Sequence, residues 1–319
     1  KVIIPYENSN EASFIGGIET YAFKNLKEVV DYFNGELEKS PIDINNYESI
    51  KNSNRNYDDF SSVKGQYNAK RALEIAAAGG HNVLMIGPPG SGKTMLARCF
   101  PSILPDMTFE EALEVTKIHS IAGMTKENKL ITQRPFRNPH HTASKVALIG
   151  GGKEAKPGEI SLAHRGILFL DELPEFNKST LEVLRLPLED RQVLVSRANK
   201  NCEYPANFML IASMNPCPCG YYGANKRECH CKPEQIKRYI NKISGPLLDR
   251  IDLHIEVESV TYEKIDKTKN IETSEQIRKR VNQARNIQLE RYKDYNIFCN
   301  AELTPKLLEK YCKLDKACK

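Results

Sequence analysis

The stretch GPPGSGKT at residues 87–94 constrains this chain more than any other. Its members Gly87, Pro88, Pro89, Gly90, Ser91, Gly92, Lys93 and Thr94 complete a G-x-x-x-x-G-K-[ST] pattern. Glycines at those spacings let backbone N–H groups turn inward around a phosphate, and a helix opening at Lys93 adds its positive dipole end. The loop needs a buried strand leading in and a helix leading out. The apolar run 82–86 supplies the first and the residues from Lys93 onward the second. A further helix is expected over 67–78, stopped by Gly79 and Gly80, with buried strands at 166–170 and 208–213. Continuous apolar runs alternating with helices predict an α/β fold, a parallel sheet covered by helices on both faces. Between the last two strands, 192–207 alternates as a β-hairpin with its turn at 198–201.

Composition narrows the class without deciding it. The chain has 319 residues, 27% charged and 40% hydrophobic, with no Trp. That suits a folded protein of about two domains and argues against disorder, collagen or a disulfide miniprotein. No run of ~18 apolar residues is present, so no membrane span or membrane partner is expected. With no secretory leader read, a cytoplasmic location is expected. Lys1 is not Met, and the chain is expected to be a piece of a longer one. The net charge of +5 hides an uneven distribution. Residues 1–60 hold 6 basic against 11 acidic residues, whereas 117–156 hold 8 basic against 2 acidic, with His119, His140 and His141 besides. A basic stretch suits a polyanion, although charge alone is usually a solvated face.

Three further clusters carry chemistry. In ILFLDE (167–172), Asp171 and Glu172 end a buried strand, where paired carboxylates are costly unless a site needs them. Asp171 would hold Mg²⁺ together with the Thr94 hydroxyl; Lys93 would reach the β- and γ-phosphates, and Glu172 would act as general base toward water. A helix cap is the bland alternative for this pair. Asn215, after the apolar run 210–214, stands where parallel strands converge on a ligand and would orient that water; an Asn-Pro turn is its alternative. Arg250, in SGPLLDRID (244–252), is either a surface ion pair or an arginine finger for a neighbouring subunit's nucleotide.

Four of the nine cysteines, Cys217, Cys219, Cys229 and Cys231, crowd into fifteen residues as two C-x-C pairs. Paired thiolates can wrap a tetrahedral Zn²⁺. Structural zinc is the reading taken, with reduced thiols and disulfides as alternatives and His230 as a substitute ligand.

Taken together, VKGQ (63–66), RALEIAAAGGHN (71–82), GPPGSGKTMLA (87–97), RPFRNPHHTAS (134–144), PGEISLAH (157–164), LFLDELPEF (168–176) and SGPLLDRIDLH (244–254) resemble the AAA+ ATPases of the magnesium-chelatase-like family, of the bacterial ComM/YifB competence-associated type. The resemblance is dense over about 59–258. It implies a P-loop AAA+ core at 59–262 and a partial helical lid at 263–319. Residues 38–58 are then a linker, and 1–37 resemble the tail of a Lon-protease-like domain, too little for peptidase activity.

The resemblance further implies a hexameric ring with ATP between subunits, Arg250 as the trans-acting finger and Asn215 as the first sensor. The second sensor arginine is expected beyond Lys319. By analogy with related rings, 125–160 and 192–207 would project into the pore. Arg134, Arg137, His140, His141, Lys145, Lys153 and Lys156 on the first segment, with Arg197 and Lys200 at the hairpin tip, would then face the phosphate backbone of single- or double-stranded DNA. Arg134 and its neighbours are alternatively nucleotide-positioning residues. The expected function is an ATP-dependent motor on DNA, of helicase or branch-migration type, in recombination of incoming DNA. The alternatives are a chelatase-type ATPase remodelling a protein partner and a module that assembles on ATP without turnover.

Overall fold

The computed structural model describes residues 1–13, 16–44, 47, 57–125, 130–152, 154–197, 200–223, 227–259, 271–295 and 297–316. Two compact units result, one from 1–55 with 106–134, the other from 56–105 with 135–319.

In the first unit, strands β1 (Val2–Pro5) and β2 (Thr20–Phe23) pair in parallel, Val2 opposite Thr20. Tyr21, Ala22 and Phe23 are buried, and the Phe23 ring stands 5.4 Å from that of Tyr32. Tyr32 belongs to the helix Leu26–Phe33, which Asn25 caps by accepting the Glu28 N–H at 3.0 Å. A second helix, Phe109–Ile121, opens with a capping box between Thr108 and Glu111.

The second unit is built on one parallel sheet. Its strands are β3 (Val83–Ile86), β4 (Phe136–Arg137), β5 (Ile167–Leu170), β8 (Met209–Met214) and β9 (Leu253–Glu256), in spatial order β9-β3-β8-β5-β4. The hairpin β6 (Gln192–Arg197) and β7 (Lys200–Pro205) lies between β5 and β8 in sequence. Three sheet strands and the two arms of the hairpin fall where the sequence placed them; β4 and β9 are additions. Lys200 and Asn201, expected in the turn, instead pair with Arg197 and Ser196, and the rest of the turn lies outside the described residues.

Successive residues of each strand face opposite layers. Leu84, Leu168, Leu170, Leu210 and Ala212 join one apolar cluster, with Leu148, Ile160, Leu173 and Tyr239. Val83, Met85, Ile167, Phe169 and Ile211 join the other, with Leu73, Leu96, Ile277 and Val281. At ~1.5–3 kcal/mol for each fully buried large aliphatic or aromatic side chain, these layers hold the sheet rigid.

One residue ties the strands together at one end of the sheet. At the start of β3, the Asn82 N–H donates to Asp252 Oδ2 at 2.8 Å and its side-chain NH₂ to the Arg250 carbonyl at 2.9 Å. Its side-chain oxygen accepts the Leu210 N–H at 2.8 Å, and its carbonyl accepts the Leu253 N–H at 3.0 Å. Asn82 thus joins β3, β8 and β9.

The long helix Ser274–Tyr292 is fixed at its N-terminus by Asp59, whose carboxylate accepts the Ser274 N–H at 3.2 Å, and by Ser274 Oγ, which accepts the Phe60 N–H at 2.8 Å. The helix lies within the stretch expected as a partial lid, and its Ile277 and Val281 are buried in the sheet's own apolar layer. Across the same contact, Arg280 grips the buried Glu74 at 2.6 and 3.2 Å.

Candidate nucleotide site

The spatial order reverses between β3 and β8, the switch point where parallel α/β sheets hold ligands. The phosphate loop follows β3 there. Gly87 is the one residue type its position accepts: a Cβ would lie 2.2 Å from the Val257 carbonyl oxygen. Gly92 takes a left-handed φ of 92° as the helix Lys93–Cys99 opens. Gln66, itself left-handed, ties the loop down by donating to the carbonyls of Ser91 at 2.9 Å and Glu258 at 2.6 Å. Gln66 closes the VKGQ motif at 63–66, which by itself assigns it no role.

Lys93 is buried with its ammonium inside the loop. It donates to the carbonyls of Gly87 at 2.6 Å and Pro88 at 2.9 Å, and to Asn215 Oδ1 at 3.3 Å. Burial pulls its pKa below the ordinary lysine value, and the nearby Asp171 and Glu172 carboxylates oppose that shift. Thr94 Oγ1 donates to Asp171 Oδ2 at 2.9 Å. The other Asp171 oxygen takes the hydroxyl of Ser213, a residue the sequence reading passed over inside an apolar strand. Glu172 adopts a left-handed φ of 55°, strain that a non-glycine residue keeps only when its surroundings hold it there. Its N–H rests on Asp171 Oδ1 at 3.2 Å, and its carboxylate is exposed, 4.0 Å from His141 Nδ1.

The expected residues therefore converge: Lys93, Thr94, Asp171 and Asn215 are joined by direct hydrogen bonds. A phosphate chain fits this donor set, because Lys93 currently spends its charge on loop carbonyls that a polyanion would outcompete. The hydroxyl and carboxylate of Thr94 and Asp171 are hard oxygen ligands suited to Mg²⁺.

Other expected residues lie elsewhere. Arg250 does not reach the phosphate loop of its own chain. Its carbonyl meets Asn82 before β3, at the opposite end of the sheet, and its guanidinium pairs with Glu189 and donates to the Pro246 carbonyl at 2.6 Å. Arg137 is held by both oxygens of Glu159, at 2.6 and 2.7 Å, and that bond raises its pKa. In the other unit Arg134 pairs with Glu111 at 3.0 Å. Lys156 meets Glu154 at 2.9 Å, and Lys145 is exposed at the start of the short helix Lys145–Ile149. Arg197 and Lys200 face each other in the hairpin register; their side chains, and Lys153 altogether, lie outside the described residues. The sulfurs of Cys217, Cys219, Cys229 and Cys231 all lie within 4.8 Å of one another, and His230 is not part of that group.

Comparison with known proteins agrees with this geometry. Residues 59–265 match the family described as magnesium chelatase, subunit ChlI, and 271–319 its C-terminal counterpart. The chain is 46% identical to competence protein ComM of Haemophilus influenzae over 99% of its length and 61% of that protein's. It is 44% identical to YifB of Escherichia coli K12, over 99% of its length and 60% of that protein's. It thus spans about three fifths of these relatives. A chain of the solved magnesium chelatase BchI–BchD complex aligns over 82% of this chain and 78% of its own, at TM-score 0.45 and 21% identity. No described helix is long and apolar enough to cross a membrane. With a parallel sheet, a complete phosphate loop at its switch point and a family match over most of its length, the chain belongs to the magnesium-chelatase-like AAA+ family, in its ComM/YifB-type branch.

Proposed function

We propose that this chain supplies the ATP-hydrolysing core of a cytoplasmic ring motor that moves on DNA, of helicase or branch-migration type. The observation that carries the ATPase part is the direct bonding of Lys93 to Asn215 and of Thr94 to Asp171 around one loop. Bound Mg·ATP brings the phosphoanhydride and the metal's charge to the site. Lys93 binds the terminal phosphates, Thr94 and Asp171 hold the metal, Glu172 accepts a proton from water, and Asn215 orients that water. Arg250 faces away from its own loop, which suits service to the next subunit of a hexamer. The phosphate loop and Glu172 would otherwise bind and cleave without reference to neighbours.

The DNA part is supported by the name of the Haemophilus relative, a competence protein, and by the excess of basic residues over 117–156. Because Arg134 and Arg137 are paired, Lys145, Lys153, Arg197 and Lys200 are the proposed backbone contacts. A chelatase-type role toward a protein partner is the second reading, favoured by the family match itself.

The ATPase rate of the complete protein, with and without single- and double-stranded DNA, separates the two. Stimulation by DNA supports the motor; a rate indifferent to DNA refutes it. Arg197→Ala with Lys200→Ala should weaken DNA binding, and intact binding would remove the hairpin from the proposal.

A further inference from the structure

We propose that Cys217, Cys219, Cys229 and Cys231 hold a zinc ion that braces the phosphate loop and Asn215 from behind. This rests on the reading of the phosphate loop as a nucleotide site, and it adds a metal centre to it.

Four thiolates about Zn²⁺ at ~2.3 Å occupy the corners of a tetrahedron with edges of about 3.8 Å. The structure holds Cys217 Sγ 3.3 Å from Cys219 Sγ and 3.7 Å from Cys229 Sγ, and Cys219 Sγ 3.6 Å from Cys229 Sγ. All four are free thiols. The backbone around the first pair is shaped as a metal-binding turn. The Gly220 N–H donates to the Cys217 carbonyl at 2.9 Å with Gly220 left-handed, and the Tyr222 N–H donates to Cys217 Sγ at 3.3 Å. N–H groups aimed at a sulfur stabilise thiolate charge. Cys217 itself is fully buried, an unfavourable place for a lone thiolate and a favourable one for a metal-bound one.

The turn reaches the nucleotide site directly. Gly220 lies so close to Pro89 of the phosphate loop that a Cβ on it would be 2.6 Å from Pro89 Cδ and 2.7 Å from Cγ. The same Cβ would be 3.8 Å from Asn215 Cγ, and Asn215 precedes Cys217 by two residues. A metal that fixes the turn therefore limits where Pro89 and the Lys93 partner Asn215 can sit.

The test uses the full-length protein, untagged and purified under reducing conditions. Elemental analysis should find one zinc per chain. Cobalt replacement should give thiolate-to-metal charge transfer and the absorption of a tetrahedral site. Cys229→Ser and Cys231→Ser should lose the metal. Stripping zinc from the wild type should weaken binding of a fluorescent ATP analogue about tenfold, a loss of ~1.4 kcal/mol, reversed by added zinc. Gly220→Ala keeps all four thiols, so it should retain zinc yet lose a similar factor in nucleotide affinity.

Protein without zinc, or with these cysteines oxidised to disulfides, overturns the site. Stoichiometric zinc with nucleotide affinity unchanged, both on stripping and in Gly220→Ala, overturns the brace. Zinc-loaded protein that binds ATP but never hydrolyses it supports the site while refuting the motor.

Discussion

Replacing Arg280 by Met tests whether the helix Ser274–Tyr292 is structurally part of the sheet-bearing unit. Glu74 is 7% exposed and its carboxylate receives Arg280 Nε at 2.6 Å and Nη2 at 3.2 Å. Arg71 adds a weaker contact at 3.2 Å from a side chain that is 66% exposed. Breaking a buried pair by removing one partner costs ~3–5 kcal/mol. Arg71 remains and Arg280 is itself partly exposed, so about 2–3 kcal/mol is expected here. For a unit of this size each kcal/mol moves Tm by ~2–4 °C, giving a fall of roughly 4–12 °C.

The double variant with Glu74→Met removes the stranded charge and should recover most of that loss. The pH dependence supplies a sign. Burial opposes ionisation of Glu74, but hydrogen bonds from Arg280 and Arg71 prevail and hold its pKa below the ordinary value. Its stabilisation is therefore complete above the unfolded carboxylate pKa of ~4.3 and fades as pH falls through the lower folded value. Thermal melts of wild type, both single variants and the double variant at pH 7 and near pH 3 read all of this. If Arg280→Met shifts Tm by less than about 1 °C at pH 7, the helix is not anchored through this pair and the reasoning fails.

Other outcomes concern the nucleotide. Gly87→Ala pushes a Cβ against the Val257 carbonyl, so the loop must move; nucleotide affinity measured by fluorescence titration should drop at least ~10-fold, an unchanged affinity being the contrary result. Glu172→Gln should lower turnover by ~10²–10⁴ while leaving nucleotide binding intact, because the side chain is exposed. Lys93 has a lowered pKa, so ATP affinity should decline as pH rises through a midpoint below 10.5. Folding stability of the nucleotide-free protein should rise slightly over the same range, since its unfolded state binds the extra proton.

The parts of the site legible in the sequence are those whose chemistry is local. The phosphate loop carries its glycines, lysine and threonine in eight consecutive residues, and Asp171 with Glu172 ends an apolar run that nothing but a strand explains. Ser213 was not legible, because one hydroxyl in a buried strand reads as a tolerated small residue until its partner Asp171 is seen. Strand β9 escaped because His254 and Glu256 alternate with apolar neighbours at a sheet edge, a pattern too short to stand out. The Arg280–Glu74 pair joins residues 206 apart, and only the folded chain places them together.

Asn82 has a consequence for the proposed ring. It rivets the near ends of β3, β8 and β9, while the far ends carry the phosphate loop and Asn215. Four residues of β3 at ~3.3 Å rise separate the two poles by about 13 Å. In the proposed ring, one pole would touch a subunit's own nucleotide and the other bears Arg250. Slippage among these strands would break the Asn82 hydrogen bonds, so the rivet opposes it and stiffens the sheet. In that proposed ring, a tilt imposed at the loop would then be carried toward the arginine instead of being dissipated in strand slippage. In a closed ring, the stiffness contributed by one asparagine side chain would then help set how faithfully each firing event is reported to the next position.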